Sequence, residues 1–166
     1  MEEKSEKNIK LLIVDDEEAF LNSIAKRLEL RGFDVAKAAN GMQAMAIAEY
    51  EKFDLALVDL KMPGINGRDL LEILKREHRY LEVIILTGHG SLESAVECTK
   101  LGAYGYLPKP YELEKLIDLL KEAYQTRMQK KFVNDMQKME IISKIAVSDS
   151  ALGIMRRLRA LDDDEK

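Results

Sequence analysis

The sequence predicts an α/β fold built on a parallel sheet, and three observations carry that expectation. Five short apolar runs alternate with five helix-period segments along the first 124 residues. Two of the runs, 11–14 and 83–86, are nearly continuous, as strands buried on both faces are. Each run is bounded by polar residues, Gly or Pro, which places a turn after every strand. Strands and helices in alternation imply right-handed crossovers, and hence a parallel sheet covered by helices on both faces.

The elements follow in order. KLLIV (10–14) opens as the first strand, and EEAFLNSIAKRLELRG carries Phe20, Leu21, Ile24, Leu28 and Leu30 at helical spacing, with Gly32 as terminator. FDVAKA (33–38) and GMQAMAIAEYEK form the second pair, with Met42 and Met45 expected as core filler. DLALVDL (54–60) precedes GRDLLEILKREHR, which ends near His78. EVIILT (82–87) precedes SLESAVECTKLG, where Cys98 reads as a buried, inert thiol. AYGYLP (103–108) leads into YELEKLIDLLKEAY, where Leu113, Leu116, Ile117 and Leu120 mark the inner face.

Composition excludes several classes of function. With 26 Lys+Arg against 30 Asp+Glu, a net charge of −4 and 46% hydrophobic residues, the chain has a core and no general basic surface for nucleic acid or membrane. One cysteine, Cys98, excludes a disulfide framework and a thiolate zinc site, and two histidines, His78 and His89, make no metal site by themselves. No apolar run approaches a membrane span, and the polar MEEKSEKNIK opening is no signal peptide, so the cytoplasm is the default compartment.

In an open parallel sheet, ligands bind beyond the carboxyl ends of the strands. The first strand ends in Asp15 and Asp16, the third in Asp59 and the fourth in Thr87, and Lys109 follows the fifth. Each has an ordinary reading alone: an N-cap, a loop opening, a strand residue, a solvated lysine. Their coincidence at one sheet edge outweighs those readings. Three carboxylates together repel unless a cation sits among them, and an all-oxygen set suits Mg²⁺.

These residues resemble the receiver domain of two-component response regulators. The resemblance rests on Asp15-Asp16, Asp59 in VDLKMPGINGRDL, Thr87 in ILTGHGS and Lys109-Pro110 in GAYGYLPKPYEL, and it spans residues 9–124. It implies a flavodoxin-like sheet in the order 2-1-3-4-5. It also implies Asp59 as phosphoacceptor, with Asp15, Asp16, Asp59 and the carbonyl of Lys61 around Mg²⁺. Thr87 and Lys109 then contact the phosphoryl oxygens, Gly88 leaves room for them, and Lys109-Pro110 is cis. Tyr106 matches the switch aromatic, and Lys61 and His89 match the positions that tune hydrolysis. The implied partner is a sensor histidine kinase or phosphotransfer protein.

Residues 125–166 are expected to form a helical extension or a tail, with no recognisable effector domain. It carries +2, leaving −6 on residues 1–124. Met128, Phe132, Met136 and Met139 continue the last helix at helical spacing, which predicts helix to about Met139 and an apolar strip suited to a protein partner or a homodimer. SALGIMRRLRAL resembles part of a helix-turn-helix, without a comparable helix before it, and the acidic LDDDEK end argues against DNA. Two other readings compete with a stand-alone receiver. One is the N-terminal receiver of a longer transcriptional regulator. The other is a Mg²⁺-dependent phosphatase of the haloacid dehalogenase type, against which stand the nucleophile after the third strand and the lack of room for a cap domain.

Overall fold

A computed structural model describes residues 8–146 and 151–163. Five parallel strands run in the order β2-β1-β3-β4-β5: β1 Lys10–Val14, β2 Asp34–Ala38, β3 Leu55–Val58, β4 Glu82–Thr87 and β5 Gly105–Pro108. The connecting helices are α1 Glu18–Glu29, α2 Gly41–Tyr50, α3 Gly67–Glu77 and α4 Leu92–Lys100, followed by α5 Leu113–Ala146 and α6 Ala151–Asp163.

Strands β1, β3 and β4 are central, and their side chains feed two separate cores. Leu12, Val14, Ala56, Val58, Val83 and Ile85 face α2, α3 and α4. Leu11, Ile13, Leu55, Leu57, Ile84 and Leu86 face α1 and α5. The continuous apolar runs are therefore what two-sided burial requires. The helices start and stop on local signals. Asn40 and Asn66 cap α2 and α3 by accepting the amides of Gln43 and Asp69. Gly32, at φ +90°, takes the left-handed conformation that ends α1.

Two apolar positions differ from expectation. Leu30 lies at the C-cap of α1, beyond its inward face, and is exposed. Met42 is exposed as well, because α2 turns Ala44 and Ala48 onto the sheet and small residues allow the helix to approach closely.

α5 passes residue 124 without a break and ends at Ala146, beyond the expected Met139. Ion pairs to the amino edge of the sheet hold it. Arg127 donates from Nε to Asp54 Oδ1 at 3.0 Å and from Nη1 to the Tyr80 carbonyl at 3.0 Å. Lys130 Nζ meets Glu82 Oε1 at 2.7 Å, and Glu82 is only 1% exposed. SALGIMRRLRAL falls largely in α6, which packs on α5, with Lys138 Nζ 3.8 Å from Asp162 Oδ1. The preceding helix that the sequence did not show is thus present. The clamp and the α6 contact support it where intrinsic helical pattern is weak. Among the described residues, no helix is long and apolar enough to cross a membrane.

Candidate functional site

The register of the central strands builds the site. Val14 pairs with Val58, so Asp15 and Asp59 emerge side by side at the carboxyl edge. Their backbones are fixed by the ladder: Asp15 N–H donates to the Ala38 carbonyl at 3.2 Å and Asp59 N–H to the Val14 carbonyl at 3.0 Å. Thr87 closes β4, and Lys109 N–H donates to the Thr87 carbonyl at 2.9 Å. The Lys109-Pro110 peptide is cis. An open cleft of about 600 Å³ lies over this edge, lined by Asp15, Asp16, Asp59, Lys61, His89 and Lys109 among others.

The carboxylates differ in environment. Asp15 is buried and fully engaged: Oδ2 accepts Lys109 Nζ at 2.7 Å, and Oδ1 accepts the Glu17 amide at 2.9 Å. Asp16 is exposed. Asp59 is 5% exposed, and its Oδ1 has no hydrogen-bond partner. Burial raises the Asp59 pKa above the ordinary carboxylate value, and the negative charge of Asp15 adds to this. A hydrogen bond from Thr87, the Lys109 charge and the Leu60 amide pull the other way without cancelling it.

Oxygens of Asp15, Asp16 and Asp59 lie within 4.8 Å of one another. A buried carboxylate with an orphaned oxygen, beside two further carboxylates, is the donor set a hard divalent cation requires. Every residue expected at the sheet edge is there. Lys61 and His89 flank the cleft, and Thr87 lies beneath it, buried and bonded to Asp59. Tyr106 is not among the cleft-lining residues. Its hydroxyl is 3.2 Å from Ser94 Oγ on α4.

Three contacts were not legible in the sequence. Lys109 Nζ is 3.7 Å from the centroid of the Phe20 ring, so an aromatic face helps hold the ammonium. Gly67, first residue of α3, packs against the backbone of Asp59 and Leu60. A Cβ there would lie 2.1 Å from the Asp59 carbonyl oxygen. Gly88, expected to make room, has only ordinary space around it, whereas Gly90 lies directly under Tyr106. The one local hint was INGRDL, an Asn cap followed by a glycine that helix propensity does not favour.

Comparison with known proteins decides the family. The response regulator receiver domain family matches residues 11–121. The chain belongs to the response regulator receiver family. It is 40% identical to an NtrX-like response regulator of Rickettsia felis, over 81% of this chain and 28% of that protein. It therefore spans little more than a quarter of that relative's length. By contrast, sporulation initiation phosphotransferase F of Bacillus subtilis is 35% identical over 69% of this chain and 93% of its own length. A CheY-like receiver domain protein from Methanospirillum hungatei superposes with a TM-score of 0.71 at 35% identity, over 74% of this chain and 98% of that one. Fold and family are those of a signalling domain.

Proposed function

We propose that this receiver takes a phosphoryl group onto Asp59 from a sensor histidine kinase or phosphotransfer protein in the cytoplasm. One observation supports it above the rest: Asp59 lines the cleft, yet its Oδ1 is buried and left without a partner. In this reading, Oδ1 bonds to phosphorus as the phosphorus–nitrogen bond of a phosphohistidine breaks, and the imidazole leaves. Lys109 faces the transferred oxygens from one side, already oriented by Asp15 and Phe20. The Thr87 hydroxyl, which hydrogen-bonds Asp59, turns to a phosphoryl oxygen once the carboxylate carries the phosphoryl group as an acyl phosphate. Asp15, Asp16, Asp59 and the Lys61 carbonyl would hold Mg²⁺. When bound, it neutralises charge on the transferring group. Lys61 and His89, at the cleft rim, control water access to the acyl phosphate.

Residues 9–124 act as the receiver and 125–166 as its output segment, helical over 125–146 and 151–163. Met128, Phe132, Met136 and Met139 are all exposed along α5, and a second copy covering this strip gives a homodimer. The short reach along the NtrX-like relatives favours a second output, in which the chain is the receiver end of a longer transcriptional regulator. Intact mass after incubation with a small phosphodonor tests the first claim: uptake in Mg²⁺, none in chelator. Uptake that ignores chelation contradicts it. Sedimentation of the full chain beside one ending at Tyr124 tests the pairing. If both are monomers at tens of micromolar, with or without phosphate, pairing through the strip is wrong.

A further inference from the structure

A second open cleft, of about 1200 Å³, lies at the end of the receiver opposite Asp59. Phe53 and Leu81, which lead into β3 and β4, place it at the amino edge of the sheet. Its walls on the receiver and α5 carry Lys52, Arg76, Arg79, Arg127 and Lys131. Against them stand Glu49, Glu77 and the Asp54 that engages Arg127, so the walls are net positive before α6 is counted. α6 brings the opposite sign. It runs back along α5 and sets Asp162 and Asp163, its last two residues, at the same cleft. Lys138 Nζ is 3.8 Å from Asp162 Oδ1, and the Lys138 side chain is only 15% exposed, which is unusual for a lysine.

The face of α5 that α6 takes is the informative point. Met128, Phe132, Met136 and Met139 form one stripe, and all four are exposed. Arg127, Lys131, Asn134 and Lys138 form another at helical spacing, and all four are partly buried. Burial of apolar area alone would set α6 on the first stripe. It lies on the second. The last turn of α6 also holds two aspartates and no basic residue, the arrangement that a helix dipole disfavours at a carboxyl terminus. A basic cleft at that end offsets the cost.

We propose that the amino-edge cleft is a docking surface for the acidic end of α6 from the same chain. Asp162 and Asp163, facing Lys131, Lys138 and the basic receiver wall, hold α6 on the polar stripe and keep it off the apolar strip. The strip is thereby left open to a partner while α6 is stowed. Asp162 remains 78% exposed, so the clasp is solvated, individually weak in each pair and sensitive to salt. It is an arm that charge holds and charge can release. The clasp does not depend on the phosphoryl chemistry at Asp59.

The test is double electron–electron resonance on the full chain, with spin labels at Tyr50→Cys on α2 and Ala160→Cys on α6. Both positions are exposed, and the native Cys98 is buried. The parent chain should show one short distance at low salt. Asp162→Lys with Asp163→Lys should lower the ratio of docked to released α6 about tenfold, and Lys131→Glu with Lys138→Glu should do the same. None of these four residues lies in either core, so the variants keep the receiver fold. Combining all four substitutions should restore the short distance. Raising salt from about 0.05 M to about 1 M should release α6 about fivefold in the parent chain. Unchanged distances in both reversed pairs overturn the clasp, as does a distance that ignores salt. Release in both pairs without recovery in the fourfold exchange overturns it too. A short distance that disappears on mixing with excess unlabelled chain at constant total concentration places α6 in the cleft of a second copy, and overturns docking within one chain.

Discussion

Arg127→Ala should destabilise the whole receiver, although residue 127 lies beyond the span that the family match covers. Its guanidinium is 12% exposed and makes two bonds, to the Asp54 carboxylate and to the Tyr80 carbonyl. Hydrogen bonds involving a charged group contribute about 1.5–3 kcal/mol each. Asp54 retains the Lys10 amide at 2.9 Å, so its carboxylate is not stranded. The net loss should therefore be about 2 kcal/mol, below the roughly 3–6 kcal/mol that two such bonds would sum to, because water reaches the partly exposed Asp54 left behind. For a chain of this size that lowers Tm by about 4–8 °C. Lys130→Ala should cost less, about 1 kcal/mol, because Lys130 is half exposed and screened while Glu82 keeps the charge of nearby Lys75. Arg127→Lys keeps the charge and loses the fork, and should recover only part of the loss. Urea unfolding, with amide exchange over residues 125–146, reads both effects. An unchanged midpoint with unchanged protection in Arg127→Ala would refute the clamp.

Other expectations follow from the same geometry. Asp59→Asn should stabilise the protein, because it removes a buried carboxylate whose pKa is raised. A raised folded pKa means the native state binds the proton more tightly, so the parent loses stability as pH climbs from the ordinary carboxylate value through the folded one. The gain from Asn should therefore grow from acid toward neutral pH; urea midpoints across pH check this, and a pH-independent gain contradicts it. Saturating Mg²⁺ should raise Tm, by about 2.7 kcal/mol of stabilisation at a hundredfold excess over Kd, and Asp16→Ala should weaken that gain. An equal gain in Asp16→Ala removes Asp16 from the site. Gly67→Ala should cost about 3 kcal/mol or more in denaturant unfolding, since its Cβ meets the backbone of Asp59 and not a movable side chain. A loss below about 0.5 kcal/mol would show that α3 shifts freely.

Much of this site was legible because strand ends are local in sequence. Asp15, Asp59 and Thr87 each follow or close an apolar run, and the rule for open parallel sheets brings such residues together whatever the details of packing. The two-sided strands were legible for the same reason, since Leu11 through Val14 leave no polar face. What stayed hidden depends on partners far apart in the chain. Nothing near Lys109 announces Phe20, and nothing near Glu82 announces Lys130, 48 residues later. Met42 misled because apolar content was read without asking which face the helix needs, and Ala44 and Ala48 decide that face. Helix α5 outran its expected end at Met139 because α6 packs against it and Lys144 pairs with Glu140 one turn back, contacts that the apolar periodicity does not record.

The central claim is that one buried carboxylate, left with a free oxygen in an acidic cleft, receives the phosphoryl group. Borohydride reduction of the phosphorylated full chain, followed by peptide mass spectrometry, tests it most directly. The reduced residue should be Asp59 alone, and Asp59→Asn should carry no label in Mg²⁺. Label on Asp15 or Asp16, or label undiminished in Asp59→Asn, would contradict the account.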